Sequence, residues 1–382
     1  MINIVDKKDC CGCSACASIC PKNAISMQAD ALGFLYPQVD KLNCVNCGLC
    51  ESVCPIINRK KNVEERNTIS YVAARNKNKE VLFKSTSGGA FSSFAKLILS
   101  QNGMVYGACY NERMEVVHDF ACTEEDCEKF IGSKYVQSRM VGLFPHIKKE
   151  LEQGIPVLFT GTPCQVEAVR KFLRKEYENL FLIDVVCHAV ASPKVFQDYV
   201  AFAEKKLKSS IISIRMRDKM KYGWGHRTST AFVLRDGTIV RDPSSLKMWN
   251  EIYFSAFVNR PSCNSCLFCN MNRSGDLTIG DFWDDSSCRK DIYSIEGTSL
   301  VMVNNERGLR LLNMADSLDC WKLKKNEAIQ QNLVHTSQSN CYSERFIDDY
   351  LRKGFKYVYL RYVNRSGFRK FLSKIKHFLQ RK

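Results

Sequence analysis

Twice within its first 55 residues the chain repeats one spacing: Cys10-x2-Cys13-x2-Cys16-x3-Cys20-Pro21, then Cys44-x2-Cys47-x2-Cys50-x3-Cys54-Pro55. Three thiolates two residues apart wrap one face of a cuboidal iron–sulfur cluster, and the fourth reaches across to a second cluster. On that logic Cys10, Cys13, Cys16 and Cys54 are expected to hold one 4Fe–4S cluster. Cys44, Cys47, Cys50 and Cys20 are expected to hold the other. The competing reading is zinc, but zinc knuckles pair single C-x2-C steps across longer spacers. Cys11 falls out of register and reads as a bystander.

With the Gly33-Phe34-Leu35-Tyr36-Pro37 segment between its halves, the region 1–58 resembles the bacterial two-cluster ferredoxin domain. That resemblance implies an α+β ferredoxin-like fold. The start of the chain, MINIVDKK, carries no apolar h-region, and no run approaches the ~18 apolar residues of a membrane span. The expected location is therefore the cytoplasm, where thiols stay reduced. There, a chain with 20 cysteines points to metal or redox chemistry rather than disulfides. A net charge of +16 suggests nucleic acid at first sight. Eleven Lys/Arg and no Asp/Glu fall in 352–382, however, leaving only +5 on the preceding 351 residues. Nucleic-acid binding needs basic residues across a folded face, so it is not expected here.

The charged stretch 59–67 (RKKNVEERN) reads as a linker. Residues 68–350 then alternate strand-like and helix-like patterns. Strands are expected at Ile69–Ala74, Met104–Cys109, Val157–Thr160, Phe181–Val186, Ile211–Met216, Ala231–Leu234 and Ser299–Val303. Helices are expected at Ala90–Leu99, Met140–Leu151, Cys164–Leu173 and Pro193–Lys206. Such alternation predicts an α/β domain with a mixed sheet, and Asp236-Gly237 marks a hairpin turn. The segment 351–382 forms a basic tail. Within it Phe368, Phe371, Leu372, Ile375, Phe378 and Leu379 share one helical face. A basic amphipathic helix of this kind lies on an anionic membrane surface, here the inner face, or docks on its own protein.

A third cysteine group, Cys263-x2-Cys266-x2-Cys269, is one thiol short of a cluster site. Cys164 and Cys187, each at the C-terminal end of an expected strand, are the candidates to complete it. The segments Ser85-Thr86-Ser87-Gly88-Gly89-Ala90, Gly132-Ser133-Lys134-Tyr135-Val136-Gln137-Ser138, Gly161-Thr162-Pro163-Cys164-Gln165, Cys187-His188 and Gly280-Asp281-Phe282-Trp283 resemble the coenzyme F420 hydrogenase/dehydrogenase beta-subunit family. The resemblance spans roughly 68–325. It implies a flavoprotein with FAD beside an iron–sulfur cluster, and a third 4Fe–4S cluster on Cys164, Cys187, Cys263 and Cys266. Cys269 and Ala189 depart from the family pattern.

By itself Ser87-Gly88-Gly89 opening a helix fits either a phosphate cradle or a plain helix cap. The resemblance assigns it, with Lys134, Tyr135, Gln137 and Ser138, to FAD. No GxGxxG or Walker A motif supports a dinucleotide fold or nucleotide hydrolysis. His188 is a candidate proton donor, with a hydrogen-bonded core histidine as the rival reading. Phe282 and Trp283 read as core packing, and Asp281 as a turn residue or a partner of the cluster loop. Cys109, Cys122, Cys127, Cys288, Cys320 and Cys341 read as small apolar residues.

The expected function is thus an FAD and iron–sulfur oxidoreductase. Electrons enter at the N-terminal clusters, cross the third cluster and reach FAD, with hydride exchange to an organic substrate or a deazaflavin-type carrier, or the reverse. The alternative is a non-catalytic relay subunit serving a partner enzyme. Either way the expected partner is a redox protein or a small electron carrier.

Overall fold

The short spacing of the cysteine runs leaves room for only one helical turn each. In the computed structural model, which describes residues 1–61, 68–225, 229–283 and 289–363, those turns are Ala15–Ser18 and Leu49–Ser52. Each is entered through a left-handed residue, Ser14 (φ 68°) or Gly48 (φ 75°), which swings the second cysteine of a run away from the third. Between the runs β1 (Ile25–Ala29) and β2 (Leu35–Val39) form an antiparallel hairpin with Ile25 opposite Val39. The helix Pro55–Lys61 carries on past Asn58, so the first residues of the expected linker are helical. The reason is Arg59. It is buried, donates to the Asn272 carbonyl at 2.7 Å and lies 5.5 Å from the centre of the Phe268 ring, tying this helix to the large domain. The rest of the expected linker, 62–67, lies outside the described residues.

The large domain is built on β3 (Ser70–Asn76), β4 (Met104–Tyr110), β5 (Val116–Ala121), β6 (Val157–Gly161) and β7 (Leu180–Val185). After β8 (Ile211–Arg215), β9 (Ala231–Leu234) and β10 (Ile239–Arg241) come β11 (Leu277–Asp281), β12 (Ser299–Val303) and β13 (Leu318–Leu323). Eight of these make a mixed sheet in the order β13-β3-β12-β11-β7-β6-β4-β5, with β4, β6, β7 and β11 mutually parallel. The expected mixed α/β sheet is therefore what folds. The expected strands at 211–216 and 231–234 do not join it. They pair with β10 in a separate antiparallel sheet, turned at Gly237 (φ 83°). β5 and β13 escaped the sequence reading because they are edge strands whose outer positions are exposed, which weakens their apolar signal. β11 escaped it because Thr278 and Gly280 interrupt the apolar run.

The N-terminal module has no core of its own. Ile2, Ala15, Val53 and Ile56 pack in one apolar cluster with Phe144, Ile147, Val166, Val169 and Phe172, from helices Leu143–Glu152 and Pro163–Leu173. At the other end, helix Ser343–Val358 runs straight through the boundary expected at 350/351, with a kink at Gly354. Arg352 pairs with Asp348 and Lys353 with Asp349, each at 2.8 Å. Phe355, Val358, Tyr359 and Val363 are buried in the same apolar cluster as Tyr199 and Trp249. The first part of the basic tail is thus part of the domain. The amphipathic segment 368–379 and Cys288 lie outside the described residues. Among the described residues no helix is long and apolar enough to cross a membrane.

Candidate functional site

Cys10, Cys13, Cys16 and Cys54 converge on one small cavity walled by Ile2, Ile4, Met27 and Ile56. Cys20, Cys44, Cys47 and Cys50 converge on a second, beside Pro21 and Leu49. Each group takes three thiols from one run and the fourth from the other. Backbone N–H groups already point at sulfur: Gly12 at Cys10 (3.4 Å), Ala24 at Cys20 (3.3 Å) and Ile2 at Cys50 (3.2 Å). Burial, with Cys10 and Cys54 adjacent, pushes the Cys16 thiol up to about 12, and burial raises Cys54 as well. Thiols crowded in an apolar wall keep their protons unless a cationic core ionises them, which is the service an iron–sulfur cluster performs. The donor set fits two cubane clusters. The first group is largely buried, whereas Cys47 of the second is exposed.

A third group assembles where the sheet ends. Cys164 is the second residue of helix Pro163–Leu173, whose Thr162/Gln165 capping box fixes its entry directly after β6. Cys187 follows β7, the parallel neighbour of β6. Cys263 and Cys266 face both. Burial first, then the nearby Cys263, Cys164 and Cys266, hold the Cys187 thiol well above its usual range. Burial with Cys266 and Cys164 alongside pushes Cys263 up to about 12, and burial with Cys164 alongside pushes Cys266 up to about 11. Cys269 stands apart, its thiol donating to the Asn332 carbonyl at 3.3 Å. The loop that carries Cys263 and Cys266 is anchored by a buried ion pair, Arg273–Asp184 at 2.7 Å. Arg273 also donates to the carbonyls of Val185, Phe268 and Asn270. Asp184, one strand end from Cys187, accepts from the backbone N–H groups of Ser274 and Gly275.

Beside this group opens a cleft of about 430 Å³, with Cys187 and His188 in its wall. Ser87, Gly89, Lys134, Tyr135 and Ser138 also line it. Gly89, left-handed at φ 78°, caps the start of helix Ala90–Leu99 and turns its free N–H end to the cleft. Gly88 has a different task. A Cβ there would sit 2.4 Å from the Ala74 carbonyl and 2.5 Å from the Ser299 nitrogen, so the residue serves the approach to β3 and β12. Gln137 is turned away from the cleft and donates to the Cys11 carbonyl at 2.8 Å. Lys134 donates to the carbonyls of Lys129 and Ile131, and burial brings its amine down to about 8. Tyr135 stacks on Tyr253 with ring centroids 4.4 Å apart. His188 has both ring nitrogens engaged, with Asn332 at 3.1 Å and Ser337 at 3.2 Å.

Several cleft residues carried no signal in the sequence. Arg217, nearly buried, pairs with Asp281 and lies 5.0 Å from the centre of the Trp283 ring. Asp281 also accepts from Trp224 at 2.9 Å, so it is neither a plain turn residue nor a partner of the cluster loop. Trp283 lines the cleft and stacks on Trp224, whereas Phe282 packs in the core. His118, in the cleft floor, meets the Thr160 carbonyl at 3.0 Å, and burial lowers it to about 4. Cys11, read as a bystander, is in hydrogen-bonding contact with both Cys13 and Cys164.

Two thiol quartets in a ferredoxin-type module, joined through a shared core to a mixed α/β domain, define an iron–sulfur electron-transfer protein. Residues 9–56 match the 4Fe-4S dicluster domain. Residues 156–328 belong to the family described as the C-terminal part of the coenzyme F420 hydrogenase/dehydrogenase beta subunit. Among solved structures the chain is similar to one from the xenon-derivatised F420-reducing [NiFe] hydrogenase complex of Methanosarcina barkeri. The identity is 18% over 80% of this chain and 94% of that one, with a TM-score of 0.47. No curated protein matches the chain.

Proposed function

We propose that the chain is an oxidoreductase linking ferredoxin-type clusters to a flavin, FAD, in the cleft, with hydride exchange to an organic substrate or a deazaflavin-type carrier. In this reading Cys10, Cys13, Cys16 and Cys54 hold one cluster and Cys20, Cys44, Cys47 and Cys50 the second. Cys164, Cys187, Cys263 and Cys266 hold a third. The observation that carries the reading is the position of Cys187, which borders the third thiol group on one side and the cleft on the other. When bound, clusters and flavin supply single-electron transfer and its conversion to a two-electron hydride.

The residues of the chain do the positioning. The N–H end of helix Ala90–Leu99 at Gly89 suits a phosphate of the cofactor. Arg217, held against Trp283 by Asp281, presents a fixed positive edge toward electron-rich groups in the cleft. His188, oriented by Asn332 and Ser337, is placed to hold a proton at the wall next to Cys187. The exposed face around Cys47 suits the approach of a redox partner, which makes the second quartet the outer terminal.

Anaerobic purification with iron, sulfide and flavin quantitation tests the proposal. The expected result is about twelve irons and about one flavin per chain. About eight irons removes the third cluster. Full iron without flavin binding, after reconstitution with FAD, removes the enzyme and leaves a relay subunit.

A further inference from the structure

Arg260 is a buried cation with no carboxylate partner among the described residues. Its side chain belongs to the large domain, three residues before Cys263, and the residue is 1% exposed. Yet it spends most of its guanidinium on the N-terminal module. Nε donates to the Cys10 carbonyl at 2.8 Å and Nη2 to the Leu35 carbonyl at 3.0 Å. The guanidinium carbon lies 4.5 Å from the Tyr36 ring centre and 5.3 Å from that of Phe34. The last edge, Nη1, donates to Gln137 Oε1 at 2.8 Å, and Gln137 passes the contact on to the Cys11 carbonyl. Gly12 completes the fit, since a Cβ there would come within 2.7 Å of both Arg260 Nη1 and Gln137 Nε2. Burying an unpaired cation is costly. The negative charges within its reach belong to sulfur: it bears on both Cys164 and Cys263, and it grips the backbone of Cys10.

We infer that Arg260 is a positioning residue for electron transfer between the N-terminal module and the large domain. It latches the Cys10–Cys13 loop against Cys164, so that the buried Cys11 thiol spans the two quartets, and it sets one positive charge between them. The inference rests on the proposed cluster at Cys164, Cys187, Cys263 and Cys266. The step it serves moves one electron from one iron–sulfur cluster to another, with no bond made or broken and no proton carried. A planar fork is needed because three acceptors and two ring faces are met at once, which an ammonium cannot do. A cation between anionic clusters favours their reduced forms.

The test uses the full chain, reconstituted anaerobically, with Arg260→Gln, Arg260→Lys and Gln137→Ala. Iron content, the spin–spin broadening in the electron paramagnetic resonance spectrum of the reduced protein, and the potential of each cluster are read together. In the unmodified chain about twelve irons and a broadened spectrum are expected. Arg260→Gln is expected to keep the iron, lose the broadening and shift cluster reduction to more negative potential. Arg260→Lys restores most of the potential but not the broadening, and Gln137→Ala weakens the broadening alone. Full iron with unchanged broadening and potentials in Arg260→Gln overturns the inference. If that variant fails to fold, unchanged spectra in Arg260→Lys and Gln137→Ala overturn it instead. About eight irons in the unmodified chain is a different failure, because it removes the third cluster itself and this inference with it.

Discussion

Cys54 and Cys269 differ in what their neighbours ask of them. Cys54 stands in the wall of the cavity shared with the first run, whereas Cys269 donates to Asn332 outside the third quartet. Cys54→Ser is therefore expected to lose about four irons per chain and Cys269→Ser none, measured by elemental analysis after anaerobic preparation. His118 carries a pH dependence of its own. Its folded pKa of about 4 lies below the ordinary 6.5, because burial disfavours the charged ring. Between those values the unfolded chain binds the extra proton, so stability rises with pH. The contribution is complete above pH 6.5 and is lost as pH falls toward 4, by on the order of 3 kcal/mol. Denaturant titrations of the unmodified chain and His118→Gln between those limits check this. The expectation fails if the two proteins lose stability in parallel.

At the scale of elements, the loop bearing Cys263 and Cys266 has little secondary structure to hold it and depends on Arg273–Asp184. Removing one partner of a fully buried pair leaves the other charge uncompensated, which costs about 3–5 kcal/mol. Asp184→Asn is expected to lower the unfolding midpoint by that margin and to loosen the cysteine loop. Urea unfolding measures the first effect and iron retention the second. Much of this level was legible beforehand. Helix Ala90–Leu99 and strands Ala231–Leu234 and Ser299–Val303 begin and end where their apolar patterns do. What stayed hidden was β11, since a central strand holding Thr278 and Gly280 is recognisable only once β7 and β12 flank it.

For the whole molecule, the two halves share one core rather than being strung on a flexible connector. Ile56 and Val53 need Phe172 and Val169, over a hundred residues away in the chain, to leave water. The same holds at the far end, where helix Ser343–Val358 covers Tyr199 and Trp249. A chain ending at 342 is expected to expose that cluster and to aggregate or melt well below the unmodified protein. One ending at 363 is expected to keep the midpoint. Differential scanning fluorimetry on both truncations checks the pair, and equal midpoints would refute the docking role of this helix.

Local spacing determined what could be read from the amino acids alone. Thiols two and three residues apart grip a cubane whatever surrounds them, and period-two apolar runs pair into a sheet, so the cysteine module and most of the mixed α/β domain were visible in advance. Contacts across a hundred or more residues were decided only by the folded chain. Arg260 reaching Cys10, Gln137 turning from the cleft to Cys11, and Cys11 meeting Cys164 leave no local pattern, because each depends on how two packed surfaces meet.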